Sequence, residues 1–113
     1  MAIYVKNEKK DGDKSFPGRM VYIGRPSILG NPYSHLSNTL AEFKVKNRKE
    51  AIDKYKEMFY NRILYDVEFR TAIDSIVKDA FIGHNIYLFC WCKPFACHGD
   101  IIKEYIESKL RNK

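Results

Sequence analysis

The sequence predicts an α/β fold: a small, mainly parallel sheet of Rossmann-like type with about three packed helices, in a single domain over residues 1–113. Three observations lead to this prediction. Strand-like segments are separated by helix-like segments, which favours parallel strands with helices packed on the sheet. Residues 86–91 form an unbroken apolar run, which is typical of a strand buried on both faces. A chain of 113 residues can bury one core but not two.

The first predicted elements are two short strands joined by a charged segment. Residues 2–6 alternate weakly between apolar and polar side chains, and residues 19–24 are apolar enough for a second strand. Between them, residues 8–14 are charged and contain a glycine, so we expect a turn or loop there. Residues 25–37 contain two prolines, a glycine and an asparagine, and they predict a largely irregular segment. A long loop inside a small domain is usually functional.

Three helices are predicted after this loop, two of them before the apolar strand and one after it. Asn47 can cap the first helix, because Glu50 stands three residues later as in a capping box. The second helix starts after Asp66 and stops near Gly83, and the last spans residues 99–110. Apolar side chains at spacings of three and four predict the buried faces: Ile52, Tyr55, Phe59 and Ile63 in the first helix; Phe69, Ile73, Ile76 and Ala80 in the second; Ile101, Ile102, Tyr105, Ile106 and Leu110 in the third.

Composition limits the class of protein. Hydrophobic residues make up 45% of the chain and aromatic residues 14%, which excludes a largely disordered chain. No apolar run reaches the roughly 18 residues needed to cross a membrane, and the first residues lack the apolar block of a signal peptide. We therefore expect a cytoplasmic protein with no membrane partner. The net charge of +6 fits a lysine-rich surface or an anionic partner. Nucleic acid is not favoured as that partner, because the positive charge is dispersed.

All three cysteines lie in residues 89–100, FCWCKPFACHGD, where the apolar strand passes through a short loop into the last helix. Open α/β folds build ligand sites at such junctions. Three interpretations stay open. Cys90, Cys92, Cys97 and His98 offer four zinc ligands, although zinc sites usually use Cys-x2-Cys turns. Cys97, beside an imidazole at a helix start, would have a lowered pKa and act as a nucleophile. Buried cysteines also pack as small hydrophobic residues; we favour this for Cys90 and Cys92 and predict no structural zinc.

The start of the last helix carries a separate prediction. Unpaired N–H groups of Gly99, Asp100 and Ile101 would point towards an anion. Alternatively, His98 or Asp100 simply caps the helix. Capping and ligand binding are compatible with each other.

The second dense motif covers residues 22–33, YIGRPSILGNPY, and follows the second strand. Arg25 is always charged, and its planar guanidinium suits phosphate or carboxylate. Side chains around it would supply hydrogen bonds and a stacking face: Ser27, Asn31 and Tyr33. The alternative is a proline-rigid loop whose Arg25 pairs with a carboxylate such as Asp100.

Together the two motifs resemble those of a family found in bacteriophage and bacterial genomes, domain of unknown function 4326. The family is marked by Arg-Pro-Ser-x-Leu-Gly-Asn-Pro-aromatic and Cys-x-Cys-x-Pro-x-x-Cys-His-Gly-Asp, which stand here at residues 25–33 and 90–100. The resemblance covers residues 19–108 and implies the α/β fold and a phage origin, without implying a reaction. The chain also resembles, more weakly, an α/β family with a Cys-His-Arg ending. In this chain Gly99 stands where that family has the arginine.

We therefore expect a site for an anionic nucleotide or a nucleotide-derived signalling molecule. Phosphates would lie on the last helix start and Arg25, and a base would stack on Trp91 or Tyr33. The predicted ligand-binding residues are Arg25, Ser27, Asn31, Tyr33, Trp91, Lys93, Cys97, His98, Gly99 and Asp100. A phage protein of this kind would sequester the nucleotide from a defence system in the host cytoplasm.

Two other function classes stay open. One is an enzyme acting on a nucleotide or nucleoside, glycosidase-like through Asp100 or His98 or dependent on Cys97. The other is a zinc-stabilised interaction or nucleic-acid-binding module. No cofactor is predicted, and a homo-oligomer that completes its site across two copies is compatible with a chain of this size.

Overall fold

Short strands and helices alternate along the chain, and the computed structural model describes them over residues 2–11, 14–25, 27–34, 43–91 and 97–111. In chain order the elements are β1 (Ile3–Asn7), α1 (Glu8–Asp11), β2 (Arg19–Tyr22), β3 (Tyr33–Ser34), β4 (Phe43–Lys44), α2 (Arg48–Tyr65), α3 (Val67–Phe81), β5 (Ile86–Cys90) and α4 (Gly99–Arg111). No helix in the described ranges is both long and apolar enough to span a membrane.

The main sheet has three strands in the order β1-β5-β2, and both pairings are parallel. Ile86 on the central strand is in register with Ile3 on one side and Arg19 on the other. The carboxyl ends of all three strands therefore lie along one edge, which we call the carboxyl edge. The predicted α/β fold with a small parallel sheet is confirmed. The strands β3 and β4 form a separate parallel pair.

The two faces of the sheet differ in their packing. Register partners share a face, and side chains alternate along each strand. One face, represented by Ile3, Val21 and Leu88, belongs to the same hydrophobic core as helices α2, α3 and α4. The opposite face, which we call the aromatic face, carries Tyr4, Lys6, Met20, Tyr22, Tyr87 and Phe89. The apolar strand β5 is buried along its whole length, as its sequence predicts.

The three long helices follow the predicted caps and buried faces. Asn47 Oδ1 accepts a hydrogen bond from the Glu50 N–H at 2.8 Å, and Asp66 Oδ1 accepts one from the Phe69 N–H at 3.1 Å. Each cap satisfies an N–H group that has no partner within its own helix. Among the predicted core residues, Phe59 is fully buried, whereas Ile63 is only partly buried.

Three local predictions are refined. Residues 8–11, where a turn or loop was expected, form one helical turn, because Asn7 Oδ1 accepts from the Lys10 N–H at 2.9 Å and so caps the turn. The segment that was predicted to be largely irregular includes a two-residue strand, β3, which forms through pairing with β4. The apolar strand ends at Cys90 rather than Trp91, because its pairing with β1 ends at Asn7, where the neighbouring chain turns into α1.

Candidate functional site

The two sequence motifs meet at the carboxyl edge. Strands β2 and β5 are neighbours, so the loop after β2 lies beside the chain that enters α4. His98 Nε2 is 2.6 Å from the Ile23 carbonyl oxygen. A carbonyl oxygen only accepts, so Nε2 carries the proton and donates it. We call this region the carboxyl-edge site and define it as Tyr22, Arg25, Ser27, Trp91 and residues 97–100.

The loop over residues 23–31 is held by buried side chains of the surrounding helices. The Tyr55 hydroxyl on α2 donates to the Leu29 carbonyl oxygen at 2.9 Å. Asn31 Nδ2 donates to the Ala51 carbonyl oxygen at 3.1 Å, and Asn31 is only 7% exposed. Together with the His98 bond to Ile23, these contacts hold the described residues of the loop in place.

Arg25 is oriented by backbone oxygen rather than by a carboxylate. Its Nη1 donates to the Asn31 carbonyl oxygen at 2.7 Å, and its own carbonyl oxygen accepts from the Tyr22 hydroxyl at 2.8 Å. Arg25 takes part in none of the ion pairs found among the described residues, so the pairing with Asp100 considered above does not form. A half-buried guanidinium thus has most of its N–H donors available at the carboxyl edge.

Two aromatic side chains stand next to Arg25. Trp91 is 58% exposed, and its Nε1 donates to the Tyr22 hydroxyl oxygen at 2.8 Å. The Trp91 carbonyl oxygen accepts from Asn7 Nδ2 at 3.4 Å, which ties it to the end of β1. Tyr22 therefore joins the indole to the Arg25 loop. Tyr22 was not among the predicted ligand-binding residues, although its place at the end of a strand, beside the Arg25 motif, could have indicated that it belongs to the site.

The start of α4 is satisfied within the chain, which corrects the expectation of unpaired N–H groups. The Gly99 N–H donates to Cys97 Sγ at 3.3 Å, and the Asp100 N–H donates to the Cys97 carbonyl oxygen at 3.0 Å. The Ile101 N–H donates to the His98 carbonyl oxygen at 3.0 Å. Asp100 Oδ2 accepts from the Cys97 N–H at 3.2 Å, so its carboxylate caps this end and offsets the helix dipole.

The helix start also packs tightly under the sheet. A Cβ atom at Gly99 would lie 2.8 Å from Ile23 Cδ1 and 2.9 Å from Val5 Cγ1. Such distances are too short for non-bonded carbon atoms, which prefer about 3.5–4.0 Å. Gly99 therefore permits the close approach of α4 to these two side chains.

Cys90 and Cys97 are buried thiols in contact with each other. Each is 1% exposed, and their Sγ atoms lie 2.9 Å apart. The hydrogen bond with Cys90 and burial raise the pKa of the Cys97 thiol, so the expected lowering of this pKa is wrong. Cys90 lies in the core, as predicted for it, whereas Cys92 lies outside the described residues. The described ranges contain no group of three or more His, Cys, Asp or Glu side chains arranged to hold a metal ion.

His98 is a neutral, buried ring that anchors the loop. Its pKa is lowered to about 4: burial and the positive charge of Arg25 lower it, while the hydrogen bond to Ile23 and the charge of Asp100 act in the opposite direction. The ring packs edge-on against Tyr55, with centroids 4.9 Å apart. The hydrogen bond of this side chain to the loop and its burial indicate a positioning role.

The predicted site residues thus fall into three groups. Arg25, Ser27 and Trp91 lie with residues 97–100 at the carboxyl edge, and Ser27 Oγ is buried without a hydrogen-bond partner in the described part of the chain. Asn31 is a buried loop anchor. The Tyr33 backbone belongs to β3, but its side chain lies outside the described residues, as does the whole of Lys93. Tyr55 was predicted only as a core residue. Its hydroxyl group could have indicated its second role, in which it anchors the loop.

Comparison with known proteins gave one match. The model of a family described as a domain of unknown function, DUF4326, matches residues 5–108. Searches of curated proteins and of solved structures found no match.

Proposed function

The chain belongs to the DUF4326 family, and from this premise and the geometry above we propose that it binds an anionic, nucleotide-like small molecule at the carboxyl-edge site. One observation carries the proposal. The half-buried Arg25 guanidinium is oriented by the Asn31 carbonyl, has no carboxylate partner among the described residues, and lies beside the exposed Trp91–Tyr22 pair.

Arg25 is the anion contact in this proposal. An arginine held at one nitrogen keeps the rest of its planar fork for a phosphate, and charge-assisted bonds of this kind are worth roughly 1.5–3 kcal/mol each. The start of α4 contributes less than the sequence suggested, because its N–H groups are already bonded and Asp100 places a negative charge there. The phosphate is therefore assigned to the Arg25 side of the site.

Trp91 and Tyr22 supply the surface for a base. Trp91 is 58% exposed and Tyr22 is 37% exposed. The hydrogen bond between them fixes the indole, so a base that stacks on it pays little ordering entropy.

A binding role is favoured over the thiol enzyme considered from the sequence. The Cys97 thiol is buried, its pKa is raised, and its sulfur accepts the Gly99 N–H. A thiolate nucleophile needs the opposite environment. Sequestration of a signalling nucleotide stays a prediction that depends on which ligand binds.

Titration calorimetry against mono-, di- and triphosphates of adenosine, guanosine and thymidine tests the proposal. We expect Arg25→Ala to weaken binding of the parent's best ligand about tenfold or more, because it removes at least one charge-assisted bond. Trp91 is the single tryptophan of the chain, so quenching of its fluorescence reports binding at this site.

Arg111→Ala is the matched control, since it removes the same charge at the opposite end of α4, about 18 Å away along the helix. Lys109→Ala, near the same end, should also leave binding unchanged. Far-ultraviolet circular dichroism verifies that each variant is folded. Equal affinity of the parent and Arg25→Ala, or no binding of any nucleotide in the panel, would overturn the proposal.

A further inference from the structure

The aromatic face of the sheet is not used by the core. Tyr87 and Phe89 on the central strand are 6% and 2% exposed, yet neither belongs to the core cluster that the helices share. Side chains on the two outer strands are open to solvent: Tyr4 is 41% exposed, Met20 39% and Tyr22 37%. Trp91 continues this face at the carboxyl edge. Exposed apolar side chains thus border the buried central strand on both sides of this face, and exposed apolar surface that gathers in one place on a small protein marks an interaction site.

The rings of this face form an ordered stack. Tyr4 and Tyr87 have centroids 5.1 Å apart and planes inclined by 13°. Phe16 stacks on Tyr87 from the segment before β2, with centroids 4.8 Å apart and planes inclined by 27°. Tyr87 thus lies between two rings, and Tyr4 ends the stack on the edge strand β1. The exposed Tyr4 ring is a fixed planar surface to which another planar group can add.

Positive charge borders the same rings. Lys6 Nζ lies 5.6 Å from the centroid of the Tyr4 ring and 5.2 Å from that of Phe16. Lys14 pairs with the Asp11 carboxylate at 2.9 Å, and the charges of Lys14, Lys6 and Lys10 help to lower the pKa of that carboxyl group. Arg25 lies at the other end, beside Trp91, and the chain as a whole carries a net charge of +6.

Planar rings bordered by cations match one class of partner. Sheets that present aromatic side chains bind single-stranded nucleic acid by stacking its bases, while basic side chains follow its phosphates. Tyr87, the partner of Tyr4, and Trp91 are four positions apart in the chain, which is roughly 13 Å of extended backbone. That length holds about four stacked nucleotides.

We infer that the aromatic face binds a single-stranded nucleic acid, with bases on Tyr4 and the Trp91–Tyr22 pair and phosphates at Lys6 and Arg25. The inference rests on the proposed function, because the carboxyl-edge site holds one nucleotide of the strand. From the sequence, nucleic acid was not favoured as a partner, because the positive charge is dispersed and does not form a basic stripe. The aromatic surface is assembled from three strands and is visible only in the fold.

The test compares a single nucleotide with a strand of the same chemistry. Probes are thymidine monophosphate and a fluorescein-labelled oligothymidylate of about ten nucleotides, within the usual site size. The corresponding uridine compounds distinguish DNA from RNA. Anisotropy and Trp91 quenching are followed in the full chain. We expect the oligonucleotide to bind at least tenfold more tightly than the monophosphate.

Tyr4→Ala should weaken oligonucleotide binding about fivefold or more, because each stacked base contributes measurably, and should leave monophosphate binding unchanged. Tyr4→Phe keeps the ring and should restore the affinity. Tyr65→Ala is the matched control, since Tyr65 is 79% exposed on α2, away from the sheet face. Lys6→Gln should reduce the slope of log affinity against log salt by about 0.7.

The outcomes separate the two proposals. If the monophosphate binds and the oligonucleotide binds no more tightly, the inference that a nucleic-acid strand binds is overturned, whereas the proposed nucleotide site at the carboxyl edge stands. If Tyr4→Ala and Tyr65→Ala have equal effects, the aromatic face is likewise excluded. If neither probe binds and the nucleotide panel is also negative, both proposals fail. Tight oligonucleotide binding that Tyr4→Ala weakens and Tyr4→Phe restores supports the inference.

Discussion

His98 illustrates how burial decides the role of a single residue. In the sequence it stands beside a cysteine at a helix start, where an imidazole can serve as a ligand, an acid or a base. In the fold it is 6% exposed, and its Nε2–H is committed to the Ile23 carbonyl oxygen. Removal from water disfavours the charged ring, so its pKa falls to about 4. The ring is a neutral tie between α4 and the loop after β2.

This depressed pKa predicts a loss of stability in acid. The pKa of His98 is about 4 in the folded chain, against an ordinary value of 6.5, so between these pH values the unfolded chain binds the extra proton. The stability that depends on a neutral His98 is therefore complete above about pH 6.5. It is lost as the pH falls towards 4, and the loss in the free energy of unfolding is about 3 kcal/mol in all. Urea denaturation across this pH range measures the change in the free energy of unfolding.

A non-titrating replacement isolates the histidine. The amide of His98→Gln can still donate a hydrogen bond but binds no proton, so its stability should depend less steeply on pH. His84→Gln is the control, because His84 is exposed. Identical pH slopes in the parent and His98→Gln would contradict the assignment.

At the scale of elements, the loop over residues 23–31 is positioned by the helices that pack around it. Tyr55 on α2, Asn31 within the loop and His98 before α4 each use a buried polar atom to hold a backbone group. Satisfied buried hydrogen bonds of this kind rigidify a structure, while a missing one is costly. The position of Arg25 therefore depends on helix packing as well as on its own loop.

Tyr55→Phe tests this dependence. The substitution keeps the ring and removes the hydroxyl, which leaves the buried Leu29 carbonyl oxygen without its donor. We expect the free energy of unfolding to fall by about 1–3 kcal/mol, with helix content retained. Burial raises the pKa of the Tyr55 hydroxyl, so the parent keeps its proton as donor throughout the usable pH range. Chemical denaturation provides the measurement.

Tyr65→Phe removes the same atom from a side chain that is 79% exposed and should change stability by about 0.5 kcal/mol or less. Equal losses in the two variants would show that the Leu29 bond contributes nothing. If Tyr55→Phe also weakens ligand binding, the Tyr55 hydroxyl affects the site indirectly, because it helps to position Arg25.

At the scale of the whole molecule, one hydrophobic core joins α2, α3 and α4 to one face of the sheet. Phe59 on α2 packs against Phe69 on α3 and Tyr105 on α4, with centroids 5.4 and 5.3 Å apart. Ile3 and Leu88 on the sheet belong to the same core. A chain with one shared core is expected to unfold in a single step.

Two probes at different places check this expectation. Trp91 fluorescence reports the carboxyl edge, and far-ultraviolet circular dichroism reports the helices. We predict coincident urea transitions with the same midpoint and slope. A separate, earlier transition of Trp91 would show that the carboxyl edge unfolds independently of the core.

Local patterns in the sequence determined most of the fold. The cap at Asn47, the start of α3 after Asp66, the buried faces of the helices and the apolar strand depend on residues close together in the chain, so spacing alone predicted them. The two motifs were also predicted to adjoin, because loops that leave neighbouring parallel strands meet at one edge. Short elements were missed, since α1 depends on one side-chain cap and β3 on pairing with a distant strand.

Only the tertiary structure decided what each motif residue does. Whether the Cys97 thiol is activated or buried, whether His98 faces a ligand or holds a loop, and whether Arg25 meets a carboxylate all depend on the partner that the fold brings to each side chain: Cys90, Ile23 and Asn31. The aromatic face likewise forms from β1, β2 and β5 together. The sequence determines which chemical groups are present and their local conformation, whereas burial, pKa and partnership depend on long-range packing that no local pattern encodes.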